Sequence, residues 1–166
     1  MTTNHELITI AENCGIPLEG IYMRDELPEH VVYNKGYIIN LEPATNEQGV
    51  ANNGTHWCAL IVVKTNSDDI IAFWFDSLGF PPPENINEFC GVPDQELAYS
   101  SKNIQGLRSV LCGYYCIAWL QYCLVSQYRS GDIYHDTERF LELFLDLDKH
   151  VDYQKNEFVL KTLFFS

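Results

Sequence analysis

"NIQGLRSVLCGYYCIAWLQYC", residues 103–123, decides how the rest of the chain is read. Its first half has the polar and small residues of a loop. From Cys112-Gly113 onward the pattern turns apolar, and Cys112, Cys116, Trp119, Leu120 and Cys123 fall on one stripe of a helix. Three of the chain's six cysteines lie in this stretch, and one of them heads the helix. A helix N-terminus offers unpaired backbone N–H groups and the positive end of the macrodipole. That field favours thiolate over thiol, so Cys112 is a candidate nucleophile. Gly113 beside it leaves room for the backbone of a bound chain. Cys116 and Cys123 read as packing residues on an apolar face.

Upstream, two strands stand out. "HWCALIVVK" (56–64) and "IIAFWF" (70–75) are nearly continuous apolar runs joined by "TNSDD", the pattern of a central hairpin covered on both faces. "YIINL" (37–41) reads as another strand, and "ELAYS" (96–100) as a short one. "NHELITIAENC" (4–14) reads as a helix capped by Asn4, with Leu7, Ile8, Ala11 and Cys14 at helical spacing and Gly15 to end it. "GIYMRDELPEHVVYNKG" (20–36) reads as an irregular connector and "EPATNEQGVANNGT" (42–55) as a surface loop. Three prolines in "GFPPPENINEFCG" stop the second hairpin strand, and a short helix begins near Glu84. "HDTERFLELFLDLD" (135–148) reads as an amphipathic helix with a solvated acidic face, and the apolar tail from Val151 packs back onto the domain. Helices around a small central mixed sheet make an α+β fold, here one domain over residues 1–166.

A nucleophilic thiol needs a proton acceptor, a group to orient that acceptor, and donors for a developing oxyanion. His56 stands at the front edge of the first hairpin strand, a rigid mount for an imidazole. Asp76 directly follows the second strand. A hairpin brings the start of its first strand beside the end of its second, so His56 and Asp76 are expected neighbours. Gln105, in the loop that feeds the helix, can donate its amide to an oxyanion beside the Cys112 N–H. His56-x-Cys58 and Cys112-x₃-Cys116 match no standard metal-ligand spacing, and no C-x-x-C occurs, so no metal site is assigned.

With these residues in place, a resemblance follows. "GTHW" (54–57), "FDSLGF" (75–80) and "IQGLRSVLCGYYC" (104–116) resemble the adenain-type cysteine proteases, the maturation proteases of adenoviruses with relatives in virophages and Polinton-type elements. The matches are His56-Trp57, Asp76 to Phe80, Gln105-Gly106 and Cys112-Gly113, in the family's order of His, acid, Gln and Cys. "YMRDELP" (22–28) with "YIINL" is similar to the N-terminal part of the virophage and Polinton branch. The resemblance implies a papain-like, adenain-like fold with the nucleophile at the N-terminus of a central helix. It implies that Cys112 attacks a peptide carbonyl, His56 moves the proton, Asp76 fixes the imidazole tautomer and Gln105 stabilises the oxyanion. Gly106 and Gly113 are expected around the substrate, and Trp57 is read either as core or as lying under the active site. The resemblance also implies cleavage near small residues such as glycine, in capsid or core precursors, within the host cytoplasm, the virus factory and the virion. There are departures. The adenoviral enzyme carries Glu where Asp76 stands. It is also basic and stimulated by DNA, whereas this chain carries a net charge of −13, which argues against a DNA cofactor. An activating peptide is left open, since none of Cys14, Cys58, Cys90 or Cys123 aligns with the family's cofactor-pairing cysteine.

A second reading is a protease of ubiquitin-like modifiers, which shares fold and catalytic residues with the first. Such enzymes usually carry Asp before the nucleophile, where this chain has Leu111. A third is a catalytically dead binding module, against which the complete His56, Asp76, Gln105 and Cys112 set argues. The N-terminus has neither the basic nor the apolar region of a signal peptide, and no apolar run is long enough to span a bilayer. The expectation is therefore free thiols in a reducing compartment and no membrane partner; separately, the chain is expected to be a monomer with no cofactor.

Overall fold

The computed structural model describes residues 2–52, 55–92 and 97–166; Gly54 of the "GTHW" motif and Glu96 of "ELAYS" lie outside them. Five strands form one mixed sheet in the order β1-β2-β3-β4-β5: β1 (Leu18–Met23), β2 (Gly36–Asn40), β3 (Trp57–Lys64), β4 (Ile70–Phe75) and β5 (Leu97–Tyr99). β2, β3 and β4 are antiparallel neighbours, while β1 and β5 run parallel to β2 and β4 at the two edges. Among the described residues five helices accompany them: α1 (Asn4–Asn13), α2 (Glu84–Cys90), α3 (Cys112–Leu124), α4 (Ile133–Glu142) and α5 (Tyr153–Phe164). The α+β class and the mixed central sheet are as expected. None of these helices is long and apolar enough to cross a membrane.

The hairpin strands are covered on both faces because side chains alternate along a strand. Trp57, Ala59, Ile61, Phe73 and Phe75 point to the side of α3, while Cys58, Leu60, Val62, Ala72 and Trp74 point to the side of α2. On the first side Phe75 stacks on Trp119 of α3 with ring centroids 5.2 Å apart, and Phe140 of α4 meets Phe75 edge-on. Aromatic pairs in these arrangements add about 0.5–1.5 kcal/mol each beyond the area they bury.

Several sequence expectations need correction. α3 is buried all round, not along one stripe: Tyr115, Ile117, Ala118 and Tyr122 are buried as well as Cys116 and Trp119. The sheet covers one side of it and α1, α4 and α5 pack around the rest. The connector after Gly15 contains β1, a half-buried edge strand that the hydrophobic pattern conceals because every residue in it is only partly covered. α1 is capped by Thr3, not Asn4: the Thr3 hydroxyl accepts from Glu6 N–H, and the Glu6 carboxylate accepts from Thr3 N–H at 2.7 Å. Ile8 on this helix is exposed. In α4 the acidic face is not wholly solvated. Asp136 is buried, and its carboxylate accepts from the Ser130 hydroxyl and N–H and from Gly131 N–H.

Asn156, on α5, is fully buried and ties three segments together. Its amide nitrogen donates to Ile104 O at 3.0 Å and Leu145 O at 2.9 Å, and its oxygen accepts from Leu145 N at 2.7 Å. The loop that carries Gln105 is thereby fastened to the C-terminal helix. Asn156→Leu keeps the branching and heavy-atom count of the side chain but strands these buried partners, at about 1–3 kcal/mol for each unsatisfied group. A melting curve should show a loss of at least about 3 kcal/mol; a change under about 0.5 kcal/mol would show that the tie is dispensable.

Candidate active site

The hairpin register places the first two site residues. Ala59 pairs with Phe75, so the chain enters β3 beside the point where it leaves β4. His56 precedes β3, and its backbone carbonyl accepts from Leu41 N–H at 3.1 Å, just past the end of β2. Its ring Nε2–H donates to Asp76 Oδ1 at 2.7 Å. Asp76 is almost fully enclosed and His56 is 14 % exposed, so the contact is shielded behind while the ring keeps an open edge. Leu78 N–H also donates to Asp76 Oδ1 at 2.8 Å, and Gly79 N–H closes a turn onto the Asp76 carbonyl at 2.9 Å. Gly79 sits at φ +84°, where a side chain is strained, and an added Cβ would lie 2.5 Å from the Ser101 carbonyl oxygen. This is the physical content of the "DSLG" segment: it holds the carboxylate still.

Cys112 is the first residue of α3, and Leu111 before it supplies no side-chain cap. The free N–H groups of the first turn are therefore left for whatever stands at the thiol. Trp57 N–H donates to Cys112 Sγ at 3.5 Å. Burial pushes the Cys112 thiol up, but side-chain hydrogen bonding with His56, the Trp57 and Gly113 N–H groups and the His56 charge outweigh it and bring it below its ordinary value. Burial likewise works against a charged His56, yet hydrogen bonds to Asp76 and Cys112 and the charges of both raise it to about 9. The two shifts favour the same state, a thiolate beside an imidazolium.

Gln105 is buried, and its amide is oriented from both ends. The Ser77 hydroxyl donates to its Oε1, while its Nε2 donates to Ser109 O at 2.9 Å. An amide nitrogen has two hydrogens, so one remains for an oxyanion. The Ser77 carbonyl also accepts from Ile104 N–H and Gln105 N–H, at 2.9 and 3.2 Å. The turn after Asp76 and the loop before Cys112 thus form one hydrogen-bonded unit. Ser77 and Asn156 were not singled out from the sequence. Ser77 lies within the matched Asp76–Phe80 segment, but its bond to Gln105, 28 residues on, and the bonds of Asn156 to Leu145 and Ile104 follow from the fold and not from local spacing.

Of Trp57, Gly106 and Gly113, two face the core. Trp57 is 1 % exposed, and its indole N–H donates to Thr2 O at 3.1 Å. Gly113 is also buried: an added Cβ would stand 2.7 Å from Leu7 Cδ2, so the glycine admits α1 and not an incoming chain. Gly106 does line an open cleft, close enough to Tyr153 that an added Cβ would lie 3.0 Å from its Cβ.

His56, Cys58 and Asp76 offer ligand atoms all within 4.8 Å of one another. The His56–Asp76 hydrogen bond already occupies the space between two of them. Cys58 is fully buried, and that burial with the nearby Asp76 carboxylate pushes its thiol well above the ordinary range. Cys116 is likewise a buried thiol, donating to Trp57 O at 3.3 Å. All six cysteines are free.

No family model matches the sequence, and no curated protein matches it. Among solved structures, the Xanthomonas campestris effector protein XopD, in its ubiquitin-bound structure, is similar at a TM-score of 0.34 and 17 % identity, over 54 % of this chain and 43 % of that one. The chain therefore spans less than half the length of the XopD chain it matches.

The ion pair has a measurable signature. His56 binds its proton more tightly folded than unfolded, so its contribution to stability is complete below pH 6.5 and fades as the pH rises through about 9. Alkylation of Cys112 by iodoacetamide should stay fast below the ordinary thiol pKa. In His56→Ala the rate should fall steeply as the pH drops below about 8.5. Superimposable profiles for the two proteins would mean that the imidazole does not act on the thiol.

Proposed function

We propose that the chain is a cysteine endopeptidase that cleaves capsid or core precursor proteins during virion maturation. The observation that carries the peptidase reading is the 2.7 Å His56–Asp76 hydrogen bond beside a thiol lowered by that same imidazole. The viral substrate rests on the "GTHW", "FDSLGF" and "IQGLRSVLCGYYC" resemblance. That resemblance also favours small residues at the cleaved bond and work in the host cytoplasm, the virus factory and the virion.

Each residue has a defined part in this reading. The Cys112 thiolate attacks the scissile carbonyl carbon, and the carbonyl electrons move onto oxygen. That oxyanion accepts hydrogen bonds from the second Gln105 Nε2–H and the Cys112 backbone N–H, donors fixed before substrate arrives and therefore needing little reorganisation. The His56 imidazolium gives its proton to the leaving amine, the C–N bond breaks, and an acyl thioester remains on Cys112. Water then attacks the thioester with His56 as base, releasing the acid and restoring the thiolate. Asp76 keeps Nε2 protonated, so that Nδ1 is the nitrogen turned to the thiol and the leaving group.

Co-expression with a capsid precursor should give new termini that mass spectrometry places next to small residues, and Cys112→Ala should abolish them while the fold survives. Gln105→Ala should lower kcat about 10²-fold, the loss typical of one oxyanion donor. Asp76→Asn should lower it by orders of magnitude through the wrong tautomer. Undiminished cleavage by Cys112→Ala refutes the reading. Release of a ubiquitin-like modifier from a fusion, with capsid precursors untouched, moves the substrate to the other class.

Double-stranded DNA at low salt should give little stimulation of a chain with net charge −13. A several-fold rise in kcat/KM on adding DNA would overturn that expectation.

A further inference from the structure

The Asp76 carboxylate is loaded on one oxygen only. Oδ1 accepts from the His56 ring at 2.7 Å and from Leu78 N–H at 2.8 Å. Oδ2 is buried and, among the described residues, has no hydrogen-bond partner. A buried carboxylate oxygen left bare is costly, because nothing replaces the water it gave up. The hairpin register supplies a neighbour for it. β3 and β4 pair Ala59 with Phe75, so Cys58, one residue earlier, comes opposite Asp76, one residue later. Opposite residues of an antiparallel pair turn their side chains to the same face, with Cβ atoms about 4.5–5.5 Å apart. His56 lies two residues before Cys58 and therefore on that face as well. The three side chains do converge: Cys58 Sγ, a His56 ring nitrogen and an Asp76 carboxylate oxygen all stand within 4.8 Å of one another.

Cys58 is fully buried and free, and no step of the peptidase mechanism uses it. A thiol is a weak donor with one hydrogen to give, and a charged acceptor strengthens such a bond. The ionisable groups around it are Asp76, Cys116 and Cys112. Burial first, then the Asp76 charge, Cys116, hydrogen bonding with Asp76 and Cys112 all raise the Cys58 thiol, which favours its S–H form. We infer that Cys58 is a positioning residue of the triad: its S–H is the donor for Asp76 Oδ2, and it fixes the carboxylate in the orientation that turns Oδ1 to His56; its catalytic meaning rests on the peptidase reading above. With both oxygens engaged, the carboxylate cannot swing about its Cβ–Cγ bond, and hydrogen bonds to a carboxylate favour its charged form. The imidazolium beside the Cys112 thiolate depends on that charge. Cys58 itself meets no substrate and acts only through Asp76.

Two substitutions separate the donor from the packing. Cys58→Ala removes the hydrogen, while Cys58→Ser replaces it with that of a hydroxyl on a side chain of the same shape. The rate of Cys112 alkylation by iodoacetamide is followed against pH in each protein, with a melting curve to show that it is folded. In Cys58→Ala the rise in rate should move to higher pH by about 0.5–1 unit, the scale of one hydrogen bond to a charged group. Cys58→Ser should return it to the wild-type position. A Cys58 that only fills space would lower the melting temperature of both variants and leave both profiles where they were. Profiles that stay in place, or that move alike in the two variants, overturn the inference. A second measurement reads the thiol in the unaltered chain: the infrared S–H stretch of Cys58, identified by its loss in Cys58→Ser. It should lie below that of Cys116, whose acceptor is the neutral Trp57 carbonyl. It should rise in Asp76→Asn, where the acceptor carries no charge. A Cys58 band at the frequency of an unbonded thiol, unmoved in Asp76→Asn, overturns the inference. Neither measurement needs turnover, so failure to cleave any peptide would strike the peptidase reading and leave the Cys58–Asp76 bond to be decided by these two.

Discussion

The antiparallel pairing of β3 and β4 brings the residue that enters one strand beside the residue that leaves the other, and the 2.7 Å contact between His56 and Asp76 depends on that register. A slip of one residue would turn every hairpin side chain to the opposite face, sending Phe75 away from Trp119 and the odd-numbered β3 residues away from α3. The aromatic core on that side therefore fixes the register, and the register fixes the imidazole. Packing and chemistry share one constraint.

Around this hairpin the chain adds two devices that make the site rigid. α3 has almost no solvent face, so its N-terminus cannot drift from β3, and Trp57 N–H and Cys116 Sγ join the two elements on either side of Cys112. The Gln105 loop has little regular structure of its own, yet Ser77 holds it from the sheet and Asn156 from α5. An oxyanion donor on a loop would ordinarily fluctuate. Here the Gln105 amide is oriented at both ends, the preorganisation that the proposed role as oxyanion donor requires. The absence of a side-chain cap at Leu111 belongs to the same economy, because a cap would consume the N–H groups that stabilise the thiolate.

The electrostatics of the pair arise from competition. Burial alone would leave Cys112 a neutral thiol and His56 a neutral ring, as it leaves Cys58 and Cys116 protonated. What separates Cys112 from its buried neighbours is a set of aimed partners: an imidazole, two backbone N–H groups and the charge of the ring backed by Asp76. Six cysteines share the chain, and Cys112 is the one at the head of α3 beside the His56 imidazole.

The sequence was enough for the α+β class, for the β3–β4 hairpin and for the meeting of His56 with Asp76, because two nearly continuous apolar runs joined by a short turn specify which strand ends lie together. It also marked Cys112 as a helix-heading thiol and Gln105 as the amide upstream. It did not disclose β1, whose side chains are all half-buried, or the true surroundings of Trp57 and Gly113, which look like site residues in the motif but pack under α1. Ser77 and Asn156 were invisible for a related reason: each matters only through atoms that folding delivers from distant segments. Local patterns record which face of an element is apolar. Which buried polar atom meets which is decided by how the helices close over the sheet.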